Sequence, residues 1–505
     1  VNTRRHPHGT SRRGFLKLGA ALTASVTLPG CSLLGTWDAI DTVGRVDFGN
    51  PLHIPPLAEA TRGATTQFAL TAQAGRSAIV EGGEATTWGL NGSLLGPTLR
   101  ARRGETVRIT VGNRLSESTT LHWHGMHLPA VADGGPHQPI EPGATWSPSW
   151  RIDQPAATLW YHPHPHGRTE RHIYRGLAGL FIVDDDHEAS LPLPRTYGVD
   201  DIPVIVQDKT FDSAGQLIET TRHDNGMIGD TILVNGTAAP VFEVSARRTR
   251  LRILNASTAR SYDFGLDDGR AFNMIASDGG LLREPLELTR ILLTPGERAE
   301  IVVDMRPGEN VTLRSYPQDL GLSDARTRNT GAADKLDVLL LRAGRQLRPA
   351  PELPSKLGLV APHDESAVVA TRAFELRNNR INGERMDMGR VDEVVTVDTT
   401  EVWEVWNGHR QPHNFHVHDV QFQVLSVDGR PPPPELSGWK DTIYLPPEVR
   451  FRLIMRFTEY TDPAMPYMYH CHLLWHEDRG MMGQFVVVEP GGSPRAIGDA
   501  HGSAR

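Results

Sequence analysis

Three Asn-Gly dipeptides, Asn91-Gly92, Asn235-Gly236 and Asn382-Gly383, each precede a short run in which apolar and polar side chains alternate. The first run is Thr106 to Val111, the second Thr249 to Asn255 and the third Glu401 to Asn407. Asn-Gly is a favoured pair for a tight β-hairpin, because both central residues of that turn need positive φ. Alternation puts every second side chain on one face of a strand, so each run predicts a half-buried β-strand. Helical periodicity is weak beyond the amino-terminal segment, and Gly, Pro and Asn-rich turns bound the runs. One pattern repeated three times, at a spacing close to that of a β-sandwich, predicts an all-β chain of three consecutive sandwich domains. At 505 residues the chain is also too long for a single hydrophobic core. Proline clusters at Pro192 and Pro194 and at Pro351 to Pro354 mark the boundaries, giving domains over 46–195, 196–355 and 356–490 and a disordered tail over 491–505.

Composition narrows the function. A net charge of -8, with acidic and basic residues interspersed, leaves no basic stripe for a phosphate backbone, so nucleic acid is not an expected partner. With 22 histidines and 2 cysteines the chain can build neither a disulfide framework nor a Cys-rich zinc site, and imidazole is its abundant metal ligand. Residues 1–45 read as a signal and linker: Ser11-Arg12-Arg13-Gly14-Phe15-Leu16-Lys17 sets two arginines before an apolar run from Leu18 to Leu28. That run is too short to span a bilayer, and the pattern is that of a twin-arginine export signal. The expected location is therefore the periplasm, the cell envelope or the exterior. Leu28-Pro29-Gly30-Cys31 is similar to a lipoprotein cleavage box, with Pro29 unusual there, which makes a lipid anchor at Cys31 an alternative to simple release. Cys471 is then the one free thiol of the mature chain.

Chemistry concentrates in the first and third repeats. Four His-x-His pairs stand there: His122/His124, His162/His164, His416/His418 and His470/His472. Side chains at i and i+2 of a strand share a face, so each pair can present two imidazoles together. One such pair is commonly no more than two surface histidines. Two in each terminal repeat, at comparable places, predict an interface that gathers eight imidazoles, enough for three metal ions with coordination positions left open. The second repeat offers only Ser261-Tyr262-Asp263-Phe264 at the matching place and reads as a metal-free spacer. Cys471 lies between His470 and His472, so its sulfur faces away from their rings, toward a separate site. Cys471, His413 and His476 with Met481 as a weak axial ligand have the composition of a blue-copper electron-transfer centre.

Leu121-His122-Trp123-His124-Gly125, Trp160-Tyr161-His162-Pro163-His164, His413-Asn414-Phe415-His416-Val417-His418 and His470-Cys471-His472 through His476-Glu477-Asp478-Arg479-Gly480-Met481 together resemble the multicopper oxidase family, in its bacterial laccase-like and copper-efflux-oxidase-like branch. The resemblance spans nearly the whole mature chain and implies three cupredoxin-like, Greek-key domains and four copper ions. It implies that His413, Cys471, His476 and Met481 hold a type 1 copper. It implies a type 2 copper on His122 and His416, and a type 3 pair on His124, His162, His164, His418, His470 and His472. Carboxylates near the cluster are also implied, with Asp133 and Glu477 as the catalytic candidates for proton supply. Every implied ligand is present, which separates the chain from copper-free cell-division paralogues of this fold.

The implied reaction couples one-electron oxidation of phenols, aromatic amines or Cu(I) at the type 1 site to four-electron reduction of dioxygen to water. Between organic substrates and Cu(I), the sequence leans to the former. The stretch before Ile381 lacks the methionine-rich insert of copper-efflux oxidases, and His409-Arg410-Gln411-Pro412 supplies no acidic or thioether group ahead of His413. A cuprous oxidase in copper tolerance and a non-catalytic envelope copper protein are the alternatives, and a monomer is expected.

Overall fold

The computed structural model describes residues 37–358 and 360–497. The amino-terminal signal motif, Cys31 and the last eight residues lie outside them. Strands are the dominant regular structure of the described residues, and the four α-helices there are no longer than six residues. Six sheets are paired as three sandwiches around three apolar cores. One core runs from Phe68 to Val183, another from Ile202 to Ala343 with Leu52 added from the amino-terminal side, and the last mainly from Phe374 to Val487.

The threefold recurrence is physical. Asn91, Asn235 and Asn382 all have positive φ, and each side chain does the same work in its sandwich. The amide oxygens accept from the backbone N–H of Thr71, Ile205 and Glu375, and the amide nitrogens donate to the carbonyls of Ala69, Pro203 and Ala373. A second asparagine set closes the alternating strands. Asn113, Asn255 and Asn407 each accept from the N–H two residues on and donate to two carbonyls across the following loop. These side chains fix where the chain leaves the strand, and in the first and third sandwiches the loops they brace lead into the histidine motifs.

The strands Thr106–Asn113 and Thr400–Asn407 alternate in burial much as their sequences predict. Arg248–Asn255 does not: all eight of its residues are buried. Arg250 and Arg252 point from it toward the first sandwich and are satisfied by acids of both sandwiches, Glu188 from the first and Asp201 and Glu300 from neighbouring strands of the middle one. Arg250 reaches Glu188 at 2.7 Å, and Arg252 holds Asp201 with two hydrogen bonds. Both guanidiniums meet Glu300, whose carboxylate also accepts from Thr158 of the first sandwich at 2.6 Å.

Burial pushes the Glu300 carboxyl up, but Arg250 and Arg252 outweigh it and hold it at about 2, below the ordinary 4.5. A carboxylate whose pKa is depressed on folding stabilises fully above its unfolded value, and that stability is lost as pH falls from 4.5 through about 2. Glu300→Gln is therefore expected to lower unfolding stability at pH 7 by about 3 kcal/mol. Urea midpoints at pH 7 and pH 3 check this, because the gap between variant and parent should narrow in acid. Equal midpoints at pH 7 would contradict it.

Candidate metal centres

Sheet register brings the histidines together. His122 pairs with His162 across the strands His122–His124 and Ala157–His162, and His416 pairs with His470 across His413–Val417 and Asp462–His470. Only His122/His124 lies wholly inside a strand. His164, His418 and His472 sit just past a strand end, yet within each pair the ring centroids stay 5.1 to 6.1 Å apart. All eight rings are at most 1% exposed. The stacked pairs His122/His418, at 3.8 Å, and His124/His416, at 3.7 Å, join the first and third sandwiches ring to ring.

Hydrogen bonds assign a proton-bearing nitrogen and a free one to His122, His124, His162, His416, His418 and His470, while His164 Nδ1 and both nitrogens of His472 have no hydrogen-bond partner. His122 and His416 give Nδ1 to the carbonyls of Asp133 and Asp441, at 3.0 and 2.8 Å, and leave buried Nε2 atoms without a partner. His418 gives Nδ1 to Asp133 Oδ2 at 2.8 Å, and His470 directs Nδ1 at the Cys471 carbonyl at 3.2 Å. The Nε2 atoms of His164 and His418 then face His470 Nε2 at 3.1 and 3.2 Å. His124 places Nε2 against Asp441 at 3.0 Å, and His162 places Nδ1 on the Pro163 carbonyl at 2.9 Å, so His124 Nδ1 and His162 Nε2 face each other at 3.3 Å. Lone pair meets lone pair at the His418–His470 and His124–His162 contacts, an arrangement that is unfavourable unless a cation sits between them. Protons do not serve instead: burial, the largest cause, holds His124, His162, His416 and His418 well below their ordinary pKa and His164 and His472 at about 3.

Cys471 lies on the other side of the same segment, just past the strand that ends at His470. Its Sγ is 3.6 Å from His413 Nδ1 and 3.7 Å from His476 Nδ1, and those two nitrogens are 3.2 Å apart. His476 comes from the short helix Leu474–Asp478 and gives Nε2 to the Asp224 carbonyl at 2.9 Å, so its Nδ1 is again the free nitrogen. Met481 is fully buried in the same apolar cluster as Cys471. Burial pushes the thiol up to about 12, so a thiolate there requires a cation to neutralise it. A soft sulfur with two imidazoles in an apolar shell fits copper better than a hard ion.

Asp133 Oδ1 lies 3.3 Å from His122 Nδ1. The Glu477 oxygens lie 3.4 Å from His164 Nδ1 and 3.1 Å from His470 Nδ1. Burial pushes the Glu477 carboxyl up, but His164 and His470 outweigh it and hold it well below the carboxylate range. Other histidines close to these motifs in sequence have different partners: His166 is exposed, while His127, His137 and His172 bond to Asp419, Gln484 and Glu117.

Several residues at the site gave no sequence signal. Asn414 accepts from the His472 N–H at 2.6 Å, lies 3.6 Å from Cys471 Sγ and donates to Thr294 and the Pro295 carbonyl. Asp441 and Thr442 contact both His124 and His416. The two members of a His-x-His pair share some neighbours and differ in others: His122 and His124 both group with His162, while His122 also groups with His416 and His418 and His124 with His416 and Asp441.

Models of the multicopper oxidase family match residues 71–188, 200–330 and 358–491. The cell division protein FtsP of Pectobacterium atrosepticum is 40% identical over 450 residues, covering 87% of this chain and 93% of that one. The multicopper oxidase mco of Staphylococcus haemolyticus is 36% identical over 447 residues, with the same coverage. Among solved structures, a laccase from Pediococcus acidilactici superposes with a TM-score of 0.79 at 36% identity, over 90% of this chain and 95% of that one. The laccase-like multi-copper oxidase CueO from the lignin-degrading bacterium Ochrobactrum sp., described with oxidase activity towards lignin model compounds and lignosulfonate, gives 0.80 at 36% identity, over 87% and 100%.

Proposed function

This chain belongs to the multicopper oxidase family, and from that footing we propose that it oxidises phenolic or aromatic substrates one electron at a time and reduces dioxygen to water. The observation that carries this reading is the convergence of buried imidazole lone pairs on one another, beside a second convergence on a buried thiol. His413, Cys471, His476 and Met481 would hold the type 1 copper, and His122 and His416 the type 2. Of the type 3 pair, His124, His162 and His472 would hold one ion and His164, His418 and His470 the other. Four coppers held in this way supply one-electron redox chemistry at the first site and storage of the four electrons that dioxygen needs at the second. Residues 46–195 and 356–490 contribute the ligands, and 196–355 contributes none. Export by the amino-terminal segment places the reaction outside the cytoplasm.

The rest falls to the chain's own groups. Cys471 carries the sulfur of one site and is joined by peptide bonds to His470 and His472 of the other, so the two are linked by a few covalent bonds. Buried Asp133 and Glu477 lie against the cluster histidines and would relay protons toward the cluster. Over the type 1 site, half-buried His409 stacks on His413 with centroids 5.8 Å apart, and Arg410 is exposed beside it. An imidazole and a guanidinium suit a phenolic hydroxyl and an aromatic face better than they suit Cu(I), which prefers thioether and thiolate.

One observation favours Cu(I) as the alternative substrate. Partly buried Met386 and Met388 lie on a loop whose Met386 N–H donates to the Gly480 carbonyl at 3.0 Å, one residue from Met481. Kinship with proteins named for cell division favours a non-catalytic envelope role instead. Steady-state oxygen uptake with a dimethoxyphenol and with Cu(I), each with and without added copper, separates the three. The expected result is turnover of the phenol that does not depend on added copper. Activity on Cu(I) alone would replace the substrate assignment, and a blue protein that consumes no oxygen with either reductant would replace the enzyme reading.

A further inference from the structure

The middle sandwich supplies no ligand to either centre, yet its turn Thr294 to Arg298 forms part of the wall around the histidines. Gly296 has φ +89°, and a Cβ there would lie 3.1 Å from His472 Cγ and 3.2 Å from His124 Cε1. Two residues on, Arg298 is completely buried and every N–H it owns is used. Nε donates to the Thr158 carbonyl at 3.0 Å, Nη1 to the Gly296 carbonyl at 3.1 Å and Nη2 to the Asp278 carbonyl at 2.9 Å. The two remaining hydrogens form a parallel pair to Asp441 Oδ1 and Oδ2, both at 2.7 Å. Thr158 belongs to the first sandwich and Asp441 to the third, so this one guanidinium joins all three.

What Asp441 does with its remaining capacity gives that clamp a purpose. Its Oδ1 lies 3.0 Å from His124 Nε2 and accepts from the Thr442 hydroxyl at 2.9 Å, while its main-chain carbonyl accepts from His416 Nδ1 at 2.8 Å. Gly125 permits the approach, since a Cβ there would fall 2.6 Å from Asp441 Oδ2 and 2.7 Å from Arg298 Nη2. A neutral imidazole carries one proton, and the nitrogen that finds a fixed acceptor keeps it. With Nε2–H on Asp441, Nδ1 is the lone pair His124 offers toward His162.

We propose that Arg298 is a positioning residue for the histidine cluster: its paired hydrogen bonds fix the Asp441 carboxylate, which selects the His124 tautomer that can bind metal through Nδ1. The inference rests on the copper reading above. Without Arg298 the carboxylate is free to turn, the His124 proton loses its acceptor, and the ion shared by His124, His162 and His472 is held less tightly. Outer partners of this kind typically change metal affinity by about 10 to 100-fold.

The experiment compares copper-loaded wild type with Arg298→Met, Arg298→Lys and the isosteric Asp441→Asn. Copper content, the near-ultraviolet absorption of the coupled pair, the blue band of Cys471 and the rate of copper loss to a chelator are followed for each. The expected result is a blue band retained throughout. Arg298→Met and Asp441→Asn should lose cluster copper roughly 10 to 100 times faster than wild type, with Arg298→Lys between them. Wild-type copper content and release rates in both Arg298→Met and Asp441→Asn would overturn the proposal. Should Arg298→Met not fold, Asp441→Asn carries the comparison alone. A wild type that binds one copper and shows no near-ultraviolet band would overturn the cluster reading and this proposal with it, which distinguishes the two failures.

Discussion

Replacing Cys471 with serine is expected to abolish the blue colour and all oxidase activity while the eight-histidine cluster keeps its metal. The sulfur is the only soft anionic ligand among the described residues, and it is packed at 0% exposure between His413 and His476. A serine hydroxyl is shorter and hard, and it gives copper no thiolate bond. Loss of an outer partner costs about 10 to 100-fold in metal affinity, so loss of the central ligand should exceed about 100-fold. The cluster should survive because its nitrogens are positioned by other groups. His470 and His472 are held by the strand register with Met482 and by the Asn414 carboxamide, neither of which needs the sulfur. Copper content is therefore expected to fall from four ions to three, with the near-ultraviolet absorption of the cluster unchanged. A serine variant that stays blue, or one that loses all copper together, would show that the two sites are not separable in this way.

The second large effect concerns protons. Asp133→Asn and Glu477→Gln keep shape and burial but remove a titratable oxygen next to the cluster. Positioned acids and bases contribute typically about 10² to 10⁴-fold, and a loss of that size in turnover is expected for each. Position also tells proton supply apart from ligand support. Asp133 accepts from His418 Nδ1 at 2.8 Å, and Glu477 faces His164 and His470, so a purely supporting role would show as faster copper release. Proton supply predicts normal copper content, normal anaerobic bleaching of the blue band by a phenol, and slow return of the colour on admitting oxygen. Normal reoxidation in both variants would remove these carboxylates from the mechanism.

Much of this arrangement was legible in the sequence because it is local. The three Asn-Gly turns announced equivalent sandwiches since one short side chain does the same backbone work in each. The alternation of Thr106–Asn113 showed an inward and an outward face, and Cys471 between two histidines pointed to a thiol and imidazoles on opposite sides of one segment. What stayed hidden depends on contacts across hundreds of residues. Arg248–Asn255 reads as an ordinary half-exposed strand, yet it is buried on both sides because Arg250 and Arg252 meet acids contributed from outside the strand. Asp441 follows a lysine and precedes a threonine with no motif around it, and only its approach to His124 and Arg298 gives it a role. The different contacts made by the two members of a His-x-His pair were hidden for the same reason. Which ring faces which is decided by the partner of the other nitrogen, and those partners come from distant parts of the chain.

The most direct test is anomalous X-ray diffraction at the copper absorption edge from crystals of the copper-loaded protein. Four peaks are expected, one against Cys471 Sγ between His413 and His476 and three enclosed by the eight paired histidines. A map with no peak at Cys471, or with no density among the facing ring nitrogens, would contradict this expectation.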